Sequence, residues 1–561
     1  MNLLYFALFF CSLLTFNLFR LHSIEAPLFF WVHGLLEALL ETTVLVTIGV
    51  LLKKFRSLFW PYIGLCFFLL LVHFADFMIL HIMDTSLSYV FEYMFSSGLR
   101  HVFVAVQALN LNVWFGLLIL AAMVLIPLAG ILLYRLLPSH RPLSLKQCFV
   151  VLVPLTSLFF LHLTTRPSLS PLTHQKFHQS LPLGLSLPSH TPLIPFQLSP
   201  PRPEPLVQTS LSLPHLPNIY LFIVETLRKD FVHAHTAPAL TAFAEEHISF
   251  PESFANANTT HLSWFSIFHS TYPYHWTSMQ QSWNEGSVPL RVLKELGYQI
   301  KVYTSADLGL FGIDPLLFGT DRKLLSSVEE YNRELGLSPA DRDAKGFAAL
   351  SRDVETLREG TVFVVFLDAT HSEYSVPDGF VPKFVPVVDR IDYLSLNKDS
   401  IEPVKNRYRN AIAYIDGLFE GFFSRLKSLG LYDEALIAVT GDHGEEFFEE
   451  GALFHGTHLN RYQTSVPLLL KLGERKPEVE MATHVDLFPS VLHHLTGGTE
   501  WESFLDGKSV FVKRKPVHVC VQHKSAATPS ELVVQTEERR LHVRCPKGQD
   551  IYRATEWESL R

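Results

Sequence analysis

Five apolar runs, at about 3–19, 28–52, 58–81, 113–134 and 148–165, dominate the first 166 residues, with few polar positions inside them. Each reaches or approaches the roughly 20 residues a helix needs to cross a bilayer, so the pattern predicts a bundle of five transmembrane α-helices. From Pro167 to Pro217 the periodicity stops, and 12 of the chain's 34 prolines fall there. A segment of that composition is extended and stiff, partly polyproline II. Beyond Asn218 strand and helix signals alternate. Ile219–Val224, Val362–Leu367 and Ala435–Thr440 are short continuous apolar runs, as strands buried on both faces read. Between them Asn406–Leu429 is amphipathic and runs into Gly430, a helix stop. This predicts an α/β/α sandwich with helices on both faces of a mostly parallel sheet. Alternating segments around 517–545 (VHVCVQ, ELVVQT, RLHVRC) predict a small antiparallel β tail. The expected organisation is a transmembrane domain over 1–166, a Pro-rich linker over 167–217, an α/β domain over 218–510 and an antiparallel segment over 511–561.

Composition and charge sharpen this reading. Charged residues make up 18% of the chain against roughly a quarter in a soluble average, which places part of it in lipid. A formal charge of -8 argues against nucleic acid as a partner. Lys53, Lys54 and Arg56 follow the second run, and Arg135, Arg141 and Lys146 lie between the fourth and fifth. The opposite loops carry only Arg20 and Arg100, so the positive-inside rule puts the N-terminus in the cytosol. Five crossings then leave everything after Arg166 outside. The first run lacks the basic flank and small-residue cleavage site of a signal peptide. Five cysteines are no disulfide framework. Cys11, Cys66 and Cys148 fall in apolar runs, leaving Cys520 and Cys545 as the pair able to meet across the tail sheet.

Two features inside the spans stand out. His33, Glu37 and Glu41 share one helix face at four-residue spacing, and His73 and Asp76 do so three apart. Ionisable groups at membrane depth either serve a function or pair with one another inside the bundle.

In open α/β sheets, reactive groups gather at the carboxyl ends of the strands. The first strand here ends in Glu225, and the Ala435–Thr440 run leads into Gly441-Asp442-His443-Gly444-Glu445-Glu446. The Val362–Leu367 run ends in Asp368, followed by Thr370, His371 and Ser372. Carboxylates and imidazoles converging at one rim form an oxygen and nitrogen set that zinc accepts. Asn256–Ser270 adds hydroxyls at a helix start, where either Thr259 or Thr260 is placed to cap the helix, its free N–H groups turned to any bound phosphate.

The segments VETLRKD, NTTHLSWFSIF, GDHGEEF, ALFHGTHLNRYQTSVPLLL and THVDLFPSVLHHLTG resemble the alkaline phosphatase/sulfatase superfamily, in the family's order across most of 218–497. Within it the chain looks most like membrane-anchored phosphoethanolamine transferases, lipoteichoic acid synthases and five-helix sulfatase-like inner-membrane proteins. The resemblance implies an alkaline phosphatase-like sheet in the outer domain and one divalent metal, zinc or manganese, on Glu225, Thr260, Asp442 and His443. It places the nucleophile on Thr260, because Ser263 then fills the family's serine three residues later; Thr259 is the competing register. It makes His371 and His455 the catalytic and substrate-contacting histidines, with His458 as a further substrate contact. In the VDLFPS segment, His484 and Asp486 more often serve structure.

The implied activity is transfer or hydrolysis of a phosphoryl-linked head group, phosphoethanolamine- or phosphoglycerol-type, from a membrane phospholipid or lipid-linked glycan. The implied location is a bacterial cytoplasmic (inner) membrane. The C/S-x-P-x-R motif of true sulfatases is replaced by Thr-His-Leu-Ser-Trp, which argues against ordinary sulfate-ester hydrolysis. The alternative class is a lipid-sensing regulator without catalysis; such a protein is expected to have lost a ligand, and all four are present.

Overall fold

The computed structural model describes residues 1–23, 26–83, 87, 113–138, 142–165, 194–196, 204–207, 211–331, 336–392, 396–498, 500–523, 529–536, 538–544 and 552–559. It divides into two compact units, Met1–Pro192 and Leu193–Arg561.

The first unit is helical: α1 (Leu3–Ser23), α2 (Leu28–Leu52), α3 (Arg56–Met83), α4 (Val113–Leu136) and α5 (Leu145–Thr164). Among the described residues, α1, α2, α3 and α5 supply four helices long and apolar enough to cross a membrane, whereas Ala121–Leu136 of α4 is shorter. A fifth crossing is not confirmed among the described residues. Helix α5 opens on a capping box: Ser144 Oγ accepts from the Gln147 N–H at 3.3 Å, and Gln147 Oε1 accepts from the Ser144 N–H at 2.9 Å. Helices α3 and α4 approach closely because Gly64 and Gly130 have no side chain there. A Cβ on Gly64 would lie 2.9 Å from Pro127 O, and one on Gly130 would lie 2.3 Å from Phe67 Cβ. Polarity is inverted relative to a soluble bundle. Val124, Leu125, Val150 and Phe160 are exposed, while His33, Glu37, His73 and Asp76 are buried. Glu41 Oε1 meets His73 Nε2 at 2.8 Å.

The second unit is built on a six-stranded sheet. With β1 at Ile194–Phe196, the strands of this sheet are β2 (Ile219–Val224), β3 (Gln299–Thr304), β4 (Ser327–Glu330), β5 (Thr361–Leu367), β6 (Leu436–Gly441) and, after the short hairpin β7 (Glu446–Phe447) and β8 (Leu453–Phe454), β9 (Leu468–Lys471). The order is β9-β6-β2-β5-β3-β4, and only β9 runs antiparallel to its neighbour. The three strands expected from apolar runs match those observed to within a residue at either end, because both faces of each are covered. Tyr220 and Phe222 of β2 pack on Phe363, Phe347, Phe419 and Phe422, whereas Ile219, Leu221 and Ile223 join the opposite core with Leu262, Phe268 and Val491. The helices bearing on the site are α6 (Thr260–His269), α7 (Pro339–Asp353), α8 (Glu402–Ser428), α9 (Arg461–Thr464) and α10 (Leu487–Thr496). Gly430, just past α8, sits at φ +68°, the left-handed conformation that ends helices and that glycine tolerates best.

The tail holds β10 (His518–His523), β11 (Pro529–Gln535), β12 (Arg539–Arg544) and β13 (Tyr552–Ser559) in an antiparallel sheet ordered β1-β13-β12-β11-β10. Two departures from the sequence reading appear. The Pro-rich segment contributes β1, where Pro195 is tolerated because an edge strand can spare one N–H. Cys520 is a buried free thiol on β10, and β11 lies between β10 and β12; Cys545 lies outside the described residues. Strand β10 runs against the loop before α6: Val521 N–H donates to Asn256 O (2.9 Å) and Asn256 Nδ2 donates to Val519 O (2.8 Å).

Candidate active site

One row of the sheet assembles the site. Val224 of β2 is in register with Leu367 of β5 and Gly441 of β6, so Glu225, Asp368 and Asp442 leave the sheet side by side. The Glu225 N–H still donates to Leu367 O at 2.9 Å, and the Asp442 N–H to Val224 O at 3.2 Å. Thr226 then turns into the left-handed region (φ +55°), which aims its N–H at Asp442 Oδ1, 2.9 Å away. Thr370 Oγ1 donates to Glu225 O at 2.5 Å and Thr226 Oγ1 donates to Thr370 O at 2.6 Å, a reciprocal tie between the ends of β2 and β5.

Glu225, Asp442 and His443 offer ligand atoms within 4.8 Å of one another, all buried. The His443 Nδ1 lies 3.0 Å from Gly444 O. A carbonyl can only accept, so Nδ1 carries a proton and Nε2 is the ring nitrogen turned toward the two acids. That Nε2 lies 3.3 Å from Glu225 Oε1 and 3.6 Å from Asp442 Oδ2. Asp442 Oδ2 is buried without a hydrogen-bond partner among the described residues. Burial pushes both carboxyls above the usual range, and Glu225 raises Asp442 further. Two desolvated acids, one converging imidazole nitrogen and an orphan oxygen fit a divalent cation.

Helix α6 begins at Thr260, where the sequence places a helix start. Its Oγ1 donates to Glu225 Oε1 at 3.0 Å and lies 3.3 Å from His443 Nε2. Thr259 occupies the position before the helix, yet its hydroxyl caps nothing and is buried without a partner among the described residues. Ser263, three residues on, is fully buried and its Oγ donates to Ala257 O at 3.2 Å.

A second trio shares Glu225: ligand atoms of Glu225, His371 and His455 also lie within 4.8 Å of one another. His371 Nδ1 donates to Ser372 O at 3.0 Å, and His455 Nδ1 pairs with Glu445 Oε1 at 3.0 Å, so both rings direct Nε2 away from these anchors. The rings of His443 and His455 lie 4.2 Å apart. His458 stands outside both trios, 3.7 Å from Glu446. His484 lies beneath the end of β6, its Nε2 2.8 Å from Gly441 O, and burial lowers its pKa to about 3. Asp486 accepts from Thr483 and Lys508 N–H groups at 3.0 Å each, a capping role.

Several residues outside the sequence-derived set support the site. Glu445 anchors His455. Asp343 of α7, fully buried, accepts from the N–H groups of Asp368 (3.0 Å) and Ala369 (2.9 Å) and from Ser305, fixing the start of the loop that bears His371. Arg342 pairs with Asp368 at 3.1 Å. Only the doubled acid of Gly-Glu-Glu hinted at Glu445; nothing local marks Asp343.

The sulfatase family model matches residues 217–498. The chain belongs to the sulfatase family. The wider alkaline phosphatase superfamily comprises enzymes, in general transferases or hydrolases, that typically use a divalent metal. In overall architecture the chain is similar to the integral membrane lipooligosaccharide phosphoethanolamine transferase A of Neisseria meningitidis. That likeness is 16% identical, covers 87% of this chain and 94% of that one, and has a TM-score of 0.51. It is also similar to a lipoteichoic acid synthase of Listeria monocytogenes (14% identical, 62% and 86% covered, TM-score 0.42). In sequence, 132 residues are 27% identical to lipoteichoic acid synthase 1 of Bacillus subtilis, spanning 22% of this chain and 20% of that protein. The match therefore covers a fifth of the curated relative's length. This sulfatase-family protein combines the fold with N-terminal helices apolar enough for a membrane.

Proposed function

We propose that this sulfatase-family protein transfers or hydrolyses a phosphoryl-linked head group, of phosphoethanolamine or phosphoglycerol type, through Thr260. The observation that carries the reading is the Thr260 hydroxyl at a helix start, 3.0 Å from Glu225 and 3.3 Å from His443 Nε2. Glu225, Asp442 and His443, with the Thr260 oxygen, would hold one zinc or manganese ion. Such an ion supplies Lewis-acid charge neutralisation and lowers the pKa of a hydroxyl beside it.

Glu225 receives the Thr260 hydroxyl hydrogen bond, takes that proton as the oxygen attacks, and returns it when the acceptor later displaces Thr260 from the phosphorus. Thr260 Oγ1 forms a bond to the phosphorus of a phospholipid head group while the phosphorus–oxygen bond to the diacylglycerol breaks. The first N–H groups of α6 and their positive dipole end stabilise charge on the phosphate oxygens. His371 or His455 gives a proton to the leaving oxygen and later takes one from the acceptor, an alcohol or water. Glu445 keeps His455 Nδ1 protonated, leaving Nε2 to exchange that proton. The domain boundaries, five crossings, cytosolic N-terminus and placement of the outer domain outside a bacterial inner membrane complete the proposal. Tethering would raise the effective concentration of lipid substrate without any new contact.

The test is mass spectrometry of the full chain in nanodiscs of phosphatidylethanolamine or phosphatidylglycerol. A head-group phosphate adduct on Thr260, lost in Thr260→Ala, is expected together with diacylglycerol release. A chain that holds metal yet yields neither adduct nor diacylglycerol from either lipid would sink the reading in favour of a regulator.

A further inference from the structure

Gln463, on the short helix α9, is fully buried, and its side-chain amide makes five hydrogen bonds. Oε1 accepts from Asn258 Nδ2, Thr457 N–H and His458 N–H, each at 3.1 Å. Nε2 donates to Glu446 Oε2 at 2.9 Å and to Thr457 Oγ1 at 2.8 Å. The orientation of the amide is decided by its partners. Two main-chain N–H groups can only donate to one end, and a carboxylate can only accept from the other. The main chain of Gln463 takes part as well, its carbonyl accepting from the Gly444 N–H at 2.9 Å. Gly444 must be glycine for this approach, since a Cβ there would fall 2.1 Å from Tyr462 O.

These partners belong to three separate stretches of the site. Asn258 stands two residues before Thr260. Thr457 and His458 follow His455 directly after Gly456. Gly444 adjoins His443, and Glu446 follows it on β7. Asn460 caps α9, its Oδ1 accepting from the Tyr462 and Gln463 N–H groups at 3.0 Å each, and its Nδ2 donates to Glu446 Oε2 at 2.6 Å. Asn258 Nδ2 also donates to His458 O at 2.9 Å, closing the network. No reacting group lies in it, yet the loops that carry Thr260, His455 and the Asp442–His443 pair are attached to it.

Resting on the functional reading above, we propose that Gln463 is a positioning residue that holds the Thr260 loop, the His455 loop and the Asp442–His443 loop in one register. Neither isosteric replacement can do this. Methionine breaks all five bonds and leaves the Thr457 and His458 N–H groups without the acceptor they share, and glutamate sets a second carboxylate against Glu446. Around that contact the titratable groups are Glu446 and His458, which lie 3.7 Å apart. A protonated glutamic acid would restore one donor and one acceptor in the same places, so Gln463→Glu should recover as pH falls and Gln463→Met should not.

The experiment is hydrogen–deuterium exchange of the full chain in phosphatidylethanolamine nanodiscs, corrected for intrinsic exchange, at pH 8 and pH 6. Head-group adduct on Thr260 is measured in parallel. In Gln463→Met, peptides covering 256–260, 444–448 and 455–459 should exchange together about tenfold faster than wild type, while β2 and β5 keep their protection. Gln463→Glu should match it at pH 8 and regain most of the protection at pH 6. Faster exchange confined to 461–464, or spread equally through β2 and β5, overturns the proposal, as does identical pH behaviour of the two variants. Adduct formation should fall about tenfold in Gln463→Met with wild-type metal content retained, and an undiminished adduct also overturns it. A wild-type chain without adduct would reject the functional reading alone, because the exchange pattern decides the role of Gln463 independently.

Discussion

Both units of this protein bury carboxylates and histidines, and they neutralise them differently. In the helical unit Glu41 meets His73 at 2.8 Å, one acid to one imidazole. In the second unit Glu225 and Asp442 converge on His443, Glu225 also faces His371 and His455, and Asp442 Oδ2 is left without a hydrogen-bond partner among the described residues. A one-to-one pair can satisfy itself, and in an apolar bundle it links two helices. Two desolvated acids side by side cannot; they are stable together only with a proton or a cation between them. The same residue types thus read as a structural joint in one unit and as a metal-binding pocket in the other. The presence of a second buried acid separates the two, more than burial does.

That contrast is testable, and the largest effect should come from the pocket. In Asp442→Ala/His443→Ala, elemental analysis of the purified full chain should fall from about one divalent transition metal per chain to none. Glu41→Ala should leave metal content untouched. Equal loss from both variants would erase the distinction. Next in size, Glu41→Ala leaves His73 buried without its partner and should cost the helical unit about 1–3 kcal/mol, read by denaturation in micelles. Replacing both members, Glu41→Leu with His73→Leu, should recover most of that loss, as exchanging a buried pair for apolar groups commonly does.

A third buried acid sharpens the comparison through pH. Burial raises Asp343 from 3.8 to about 7, against the opposing pull of its hydrogen bonds from Ser305 and the Asp368 and Ala369 N–H groups. The folded state therefore holds this proton more tightly than the unfolded chain. The stability it contributes is present below about 3.8 and is lost as pH rises through about 7. Asp343→Asn should flatten the fall in melting temperature of the second unit across that window. An unchanged slope would show that Asp343 ionises as it does in the unfolded chain. The smallest effect should be Thr259→Val. Its hydroxyl has no hydrogen-bond partner among the described residues, so an apolar group of the same shape should change stability by no more than about 0.5 kcal/mol.

Local pattern carried much of the architecture. Continuous apolar runs marked β2, β5 and β6, because strands covered on both faces leave no polar positions. The start of α6 at Thr260 and the end of α8 before Gly430 were legible because caps and stops are written within a few residues. Glu225, Asp442 and His443 were legible for a related reason: each follows a strand end directly, and parallel strands in register deliver their ends to one place.

Local pattern also left two threonines in competition and the pairing of Cys520 open, and it read the Pro-rich segment as lacking strand. Folding in three dimensions turned the Thr260 oxygen toward Glu225 and His443 while leaving the Thr259 hydroxyl unpartnered among the described residues. It set β11 between β10 and β12, and drew Ile194–Phe196 to the sheet edge. Asp343, Glu445 and Gln463 escaped for the same physical reason. Their partners lie at Asp368, His455 and Asn258, and for Gln463 that contact crosses 205 residues of chain. Periodicity and spacing describe what neighbours along the chain do. A buried amide satisfied by three loops is a property of the contacts that folding creates.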